Sequence, residues 1–446
     1  MSDPVSGLAD RTADRTADRT ADRPLFSIIT PEHTAANAVY LKELFDSILA
    51  QTYANWEWIL YLNGSVTPAD LPDAIRAHPN VKVHEAADRS QTKIGAIKAA
   101  AFALGTGDVL VEVDHDDLLT PDCLQKLEDA FRDPAVGFVY SDNFVLKDDE
   151  FVPFRADHGW TWRPFEWKGK EFKAMRSFPP SSHSLSFIYY APDHVRSWRT
   201  TVYREIGGHD PTLDICDDHD LCIRTYLATE MKHIPEVLYG YRITGNNTFL
   251  ERNAAIQVTT KQLFHKYARQ LAERDAKKKG LMLVDLGGGL NPLPGYTVID
   301  SRPSADIVAD LNDGIPLPDN SVGVLHASHI FEHLHDKMKT IAEVHRVLAP
   351  GGWLIAETPS TDGRGWAQDP THVSAWNENS FLYYTNSYLA NFIDNKTIRF
   401  QSYRLETHFP NEWMRKMHVS VVTAWLVCLK DLPGQPMPRL PGLLEI

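Results

Sequence analysis

VLVEVDHDDLL, residues 109–119, is the stretch on which the fold turns. An apolar run ends abruptly in Asp114, Asp116 and Asp117, as a buried strand does when it hands over to a loop at a sheet edge. Two hard carboxylates on such a loop, Asp114 and Asp116, can hold Mg²⁺ or Mn²⁺, whose open positions take diphosphate oxygens. A bound metal of that kind neutralises a departing nucleotide diphosphate. About 100 residues downstream, IGGHDPTLDICDDHDLCIR (206–224) supplies a second acidic group, with Asp217, Asp218 and Asp220.

Upstream, short apolar runs alternate with helical stretches. From Pro24 the order is LFSIIT, a helix through YLKELFDSILAQ, WEWILYL, NVKVHEA, a helix through IGAIKAAAFAL, and DVLVEVD. This rhythm predicts an α/β fold with right-handed crossovers and a mostly parallel sheet. Ligands then sit at the carboxyl ends of strands. Asn63-Gly64, Asp88 and the Asp114 cluster all fall at such ends.

Downstream, LMLVDLGGGLNPLPG (281–295) opens a second series with YTVIDS, VGVLHAS, a helix through KMKTIAEVHRVL, and WLIAETP. Pro350-Gly351-Gly352 reads as a loop before the last of these. Asp285 and its glycines follow a strand, where glycines let backbone approach a cofactor and an acid on the next strand, Asp300, takes ribose hydroxyls. The organisation expected is a disordered ADRT-repeat tail over 1–23, a first domain over 24–255, an exposed helical linker over 256–280 and a second domain over 281–446.

With 446 residues, 43% hydrophobic and 23% charged, the chain is long enough for two globular cores. The formal charge of −14 argues against nucleic acid or anionic lipid as a broad partner. Cys123, Cys216, Cys222 and Cys428 form no C-x-x-C pair, which suits free thiols in a reducing cytoplasm. No stretch reaches the ~18 apolar residues of a membrane helix, and VSVVTAWLVCL (419–429) reads as a buried strand. Any membrane contact would be peripheral.

Residues 24–250 resemble the inverting glycosyltransferases of family two with the GT-A fold. The resemblance is carried by SIITP, SILAQTYANWEWIL, the NGS turn, KIGAIKAAA, VDHDD, EIGGHD, DDHDLCIR and YGYRITGNNT. It implies a nucleotide-sugar donor, UDP-linked by preference, with Asp114 and Asp116 at metal and ribose–diphosphate and Asp117 supporting them. Asp218 matches the catalytic base, which takes a proton from an acceptor hydroxyl in an in-line displacement. Leu62-Asn63 stands where many members have an aspartate pair, so base recognition passes to Asn63, Asp88 and the backbone near Thr30 and Pro31. Tyr241-Arg242-Ile243-Thr244 lacks the family's usual metal-binding histidine, leaving Asn246 or His219 as helpers. The aromatic- and arginine-rich insert 160–200 suits an acceptor or donor site, with Trp198 and Arg199 favoured.

Residues 281–385 resemble class I S-adenosylmethionine-dependent methyltransferases through DLGGG, VID, ADLNDGIPLPDNSVGVLHASHIFEHL, EVHRVLAPGGWLIAETPS and DPTHVSAW. The resemblance implies two Rossmann-like domains in one chain. By position, Gly287 and Gly289 flank the methionine part of the cofactor, Asp300 the ribose and Asp310 the adenine, while His329 lines the pocket. His329-Ile330-Phe331-Glu332-His333 also matches the zinc motif H-x-x-E-H. Its place after a strand favours pocket lining for His329 and capping or burial for His333. His329, His372 and Asp369 are candidate bases for a sugar hydroxyl. The combined expectation is a bifunctional enzyme of glycan assembly; the alternative keeps the glycosyltransferase, gives it a nucleobase or protein acceptor, and makes the second domain a non-catalytic module.

Overall fold

The computed structural model describes residues 23–34, 38–146, 160–182, 184–186, 191–244, 247–395 and 397–431. The repeat tail before Arg23 and Asn246 lie outside the described residues. The chain divides into two compact units, Met1–Pro180 with Ile188–Leu263 and Ser181–Phe187 with Phe264–Ile446.

The first unit runs β1 (Phe26–Glu32), α1 (Ala38–Leu49), β2 (Trp56–Leu62), α2 (Asp73–Arg76), β3 (Val81–Glu85), α3 (Ile94–Phe102), β4 (Val109–Glu112), β5 (Leu118–Leu119), α4 (Cys123–Phe131) and β6 (Val136–Leu146). It continues with β7 (Trp162–Trp167), β8 (Lys170–Met175), β9 (Arg196–Arg199), α5 (Thr200–Glu205), α6 (Asp217–Ala228), β10 (Glu230–Arg242) and α7 (Thr248–Glu251). The sheet order is β3-β2-β1-β4-β9-β6-β10-β5, with the β7–β8 hairpin attached through β6.

β2 is buried along nearly all of its length because both of its faces are covered, and Glu57 is its one charged residue. In α1, Leu41, Leu44, Phe45 and Ile48 recur at helical spacing and are all buried, with Phe45 stacked on Trp58 at 5.8 Å. Each such side chain stabilises the core by roughly 1.5–3 kcal/mol. Parallel pairing of β1 with β2 (Glu32↔Leu62) and with β4 (Ile29↔Glu112) brings three strand ends to one edge. That edge carries Asn63 and Asp114. β9 is inserted antiparallel to β4, pairing Glu112 with Arg196 and Val109 with Arg199. Arg196 therefore lies toward the Asp114 edge and Arg199 toward the opposite one. Phe165, Trp167 and Phe172 of the hairpin pack on Phe144, so these rings of the insert form a satellite core.

α8 (Asn253–Lys278) crosses the division at 263/264. It is not the exposed linker its charged tail suggests. Thr260 lies against Cys216 of the first unit, while Phe264 meets Tyr403 at 5.2 Å in the second, and Leu263, Tyr267 and Leu271 are buried along the same stripe. The helix expected to lie outside the second domain is thus partly its own.

The second unit continues with β11 (Met282–Leu286), β12 (Thr297–Asp300), β13 (Ile307–Val308), β14 (Val322–Ser328), α9 (Lys337–Val347) and β15 (Leu348–Pro359). Then follow α10 (Glu378–Thr385), α11 (Ser387–Ala390), β16 (Arg399–His408), α12 (Glu412–Lys416) and β17 (Val421–Leu429). The order β13-β12-β11-β14-β15-β17-β16 is parallel from β13 to β15, and the β15–β17 and β17–β16 pairs are antiparallel. Pro350-Gly351-Gly352 forms a bulge inside β15 rather than a loop before it, with Gly351 at φ +77° as the pairing jumps from Leu348 to Trp353. Ser182 is fixed to this unit by a backbone hydrogen bond to Asp275 Oδ2 at 2.9 Å. Among the described residues no helix is long and apolar enough to cross a membrane.

Candidate active sites

At the first edge, β4 ends in Glu112 and the chain turns through half-buried Asp114, His115 and Asp116 to fully buried Asp117. Asp117 accepts from the Tyr239 hydroxyl and the Arg242 amide, each at 2.7 Å. It anchors the end of β10 and has no free face for a ligand. Burial and the charge of Asp114 hold the Asp116 carboxyl above its usual range, with His115 opposing them. A cation at this turn would relieve that cost, so Asp114 and Asp116 fit a divalent metal. The sequence looked to His219 as a helper, but His219 is buried in α6. Instead His33 and His115 stand here, their rings 5.7 Å apart, and with Glu32 each offers one ligand atom within 4.8 Å of the others. Neighbouring strand ends are what join them, a signal absent from local sequence.

Beneath the edge lies a buried charge network. Lys98 pairs with Glu112, while Arg196 Nη1 lies 2.7 Å from Asp218 Oδ2 and 3.6 Å from Glu112 Oε2. Arg196 and Glu112 side chains are 1% exposed and that of Asp218 23%, so Asp218 is the carboxylate of this network that reaches solvent. Burial pushes Asp218 up, but Arg196 and Lys98 more than offset it and keep the group below its usual range, ionised at neutral pH. Asp217 takes the opposite course. Burial, with Asp218 and Glu112 nearby, drives it up to about 7 against the pull of Lys98. Its Oδ2 has no hydrogen-bond partner among the described residues and lies 3.8 Å from His209 Nε2. Asp220 pairs with Arg224, which donates to the carbonyls of Ile206 and Gly208, so it fixes the Gly-Gly loop. Glu112, which pairs with Lys98 and faces Arg196, stands two residues before Asp114 on β4, so one charge network joins the two acidic motifs.

Trp198 and Arg199 do not reach this edge. Trp198 is fully buried, packs on Phe138 at 4.9 Å and donates to Thr225. Arg199 donates to the carbonyls of Phe131 and Val136 at the far end of β4, because β9 runs antiparallel. The arginine that reaches the edge is Arg196, three residues earlier, beside Asp218. The Thr30 hydroxyl accepts from Trp58 inside the core, leaving only backbone near Pro31 for a ligand. Asn63 is buried at the edge, its amide donating to Gln91 O. Asp88 is exposed and accepts from the Ser90 hydroxyl and amide, which hold its carboxyl low.

The second site is built from backbone. Asp285 accepts from Leu293 N at 3.1 Å and is bonded to His326 Nδ1 at 2.7 Å. Asp300 accepts from Gly289 N at 3.1 Å and Arg302 N at 2.9 Å. The two carboxylates thereby shape the glycine turn. Gly287 has φ +72°, and a Cβ there would meet Ile330 at 2.8 Å; one at Gly288 would lie 2.2 Å from Asp285 Oδ2. Only glycine leaves this cradle open, which fits a nucleoside-type cofactor. Exposed Asp310 is turned toward Asn312, whose amides hold its carboxyl low. His329 (φ +52°) is raised to about 9 by the neighbouring carboxylates of Glu332 and Glu357, 3.3 and 3.6 Å away. At neutral pH it is a cation, which removes it as a proton acceptor.

Residues 27–189 match the family model "Glycosyl transferase family 2". Residues 254–356 match the model "Methyltransferase domain". The chain carries a family 2 glycosyltransferase domain followed by a methyltransferase domain. The glycosyltransferase domain is similar to the O-antigen biosynthesis protein RfbC of Myxococcus xanthus, 27% identical over 258 residues that cover 56% of this chain and 18% of that protein. It is also similar to the chondroitin synthase of Escherichia coli, 25% identical over 51% of this chain and 30% of that one. The chain spans less than a third of the length of these relatives. A probable S-adenosylmethionine-dependent methyltransferase of Mycolicibacterium smegmatis is 37% identical over 67 residues, 14% of this chain and 26% of that protein. The methyltransferase model begins within α8, in line with that helix packing on the second unit.

Proposed function

We propose that the glycosyltransferase domain moves a sugar from a nucleotide-sugar donor, UDP-linked by preference, to an acceptor hydroxyl with inversion. The observation that carries this reading is buried Arg196, which lies against both Asp218 and Glu112, the residue two before Asp114 on the strand that ends in the acidic turn. Asp114 and Asp116 would hold Mn²⁺ or Mg²⁺, which supplies charge neutralisation for the diphosphate. Asn63, Asp88 and the backbone near Pro31 would hold the base and ribose. Asp218 accepts the acceptor's proton, and Arg196 keeps it ionised and aimed. A donor-hydrolysis screen with Mn²⁺ tests this: Asp116→Ala abolishes turnover, whereas the absence of turnover with every nucleotide sugar refutes the reading.

For the methyltransferase domain we infer methylation of a glycan hydroxyl. S-adenosylmethionine, when bound, supplies an electrophilic methyl group. Gly287 and Gly289 would admit its methionine part, Asp300 would take the ribose, and Asp310 the adenine edge. Calorimetric titration of the full chain with S-adenosylmethionine tests this, and absence of binding refutes it. The four cysteines, all buried and free, support a cytoplasmic setting; we infer a glycan or glycoconjugate acceptor from the family resemblance of the two domains.

A further inference from the structure

We propose that the methyltransferase domain holds a divalent transition-metal ion, of the zinc class, on Glu332, His333 and His372. One donor atom from each lies within 4.8 Å of the others. The set is not the H-x-x-E-H pair suggested by sequence, since His329 turns to Glu332 and Glu357 instead. Its third member comes from DPTHVSAW, 39 residues after His333.

The donors are prepared as metal ligands are. Glu332 is buried, its Oε2 accepts from Thr358 at 2.8 Å, and its Oε1 has no hydrogen-bond partner among the described residues. The His329 imidazole stands 3.3 Å from that Oε1, outside hydrogen-bond geometry. His372 has a side chain only 8% exposed, and its Nδ1 lies 2.7 Å from the Trp366 carbonyl. A carbonyl can only accept, so that nitrogen carries the proton and Nε2 presents its lone pair, 4.0 Å from Glu332 Oε1. His333 Nδ1 likewise meets the Thr371 carbonyl at 3.2 Å. Imidazoles fixed by a second partner through the other nitrogen are the usual outer shell of a metal site. The loop is held by backbone too: Val373 N and Ser374 N both donate to Glu332 O. Two imidazoles and one carboxylate favour zinc over magnesium or calcium, and three protein donors leave a position for water or an acceptor hydroxyl. Asp369 Oδ2, 4.0 Å from His372 Nε2, is a fourth donor within reach.

The test is metal content of the untagged full chain after incubation with Zn²⁺ and dialysis, with Co²⁺ substitution read by visible absorption. The wild type retains about one equivalent attributable to this set, and His372→Ala, His333→Ala and Glu332→Gln each lose it while keeping the wild-type circular dichroism. His33→Ala retains it, which separates this set from the histidines of the first unit. A wild type that binds no zinc overturns the proposal, as does zinc retained in His372→Ala and Glu332→Gln. Chelation lowers the melting temperature of the wild type and not of Glu332→Gln; equal shifts in both also overturn it. S-adenosylmethionine binding rests on other residues, so its loss or retention decides the methyltransferase reading separately.

Discussion

The two units prepare their sites by opposite means. In the glycosyltransferase domain side chains far apart in sequence meet as charges: Lys98, Glu112, Arg196, Asp217 and Asp218 share one buried cluster. In the methyltransferase domain two carboxylates on neighbouring strands accept from backbone amides of the glycine turn and of the loop that follows it. The first design fixes protonation states, with Asp218 low and Asp217 high. The second fixes shape. Loss of a charge should therefore damage the first site most, and gain of a methyl group the second.

The largest effect expected is on transfer itself. Asp218→Asn lowers the rate of sugar transfer about 10²–10⁴-fold, the range of a general base, while donor affinity measured by titration stays. Retained transfer would mean that another group is the base. Next comes Arg196→Met, which leaves Glu112 and Asp218 without their buried guanidinium and costs about 3–5 kcal/mol in urea unfolding. In the second unit Gly288→Ala places a Cβ against Asp285 and costs roughly 1–3 kcal/mol, with weakened S-adenosylmethionine binding and unchanged donor binding.

Two pH predictions sharpen the contrast. Asp217 is raised from an unfolded value near 4 to about 7, so the fold retains a proton the unfolded chain has lost. Its contribution is full below pH 4 and fades as pH rises through 7. Asp217→Asn should gain stability relative to wild type at pH 8 over pH 5, and an unchanged difference would show that the neighbouring charges compensate. A smaller effect attends His329, whose folded value of about 9 exceeds its ordinary 6.5. Its contribution is complete below 6.5 and is lost as pH rises through 9, softened by solvent because the side chain is 48% exposed. His329→Gln removes that alkaline decline in melting temperature.

Local pattern carried much of this into view and sheet order withheld the rest. The strand-and-helix rhythm, the carboxylates at 114–117 and 217–220, and the glycine turn at 287–289 are contiguous signals, and the structure places each at a strand end or helix start. Lys98 and Arg196 are not. Each is one basic residue in an unremarkable helix or strand, and only the antiparallel insertion of β9 beside β4 brings Arg196 to Glu112. The same insertion carries Arg199 to the wrong end and Trp198 into the core. In α8 the charges of KKKG concealed the apolar stripe Leu263, Phe264, Tyr267 and Leu271, which a helical period would have revealed. The pairing of His333 with His372 depends on a loop returning to β14's end, which spacing alone does not encode.

If one chain holds two independent group-transfer sites, each ligand must be lost without the other. Calorimetry of the full chain, with a UDP-sugar plus Mn²⁺ and then with S-adenosylmethionine, tests it on Asp116→Ala and Gly288→Ala. Asp116→Ala should lose only the sugar nucleotide and Gly288→Ala only S-adenosylmethionine. Loss of both ligands in either folded variant, or of neither, would contradict it.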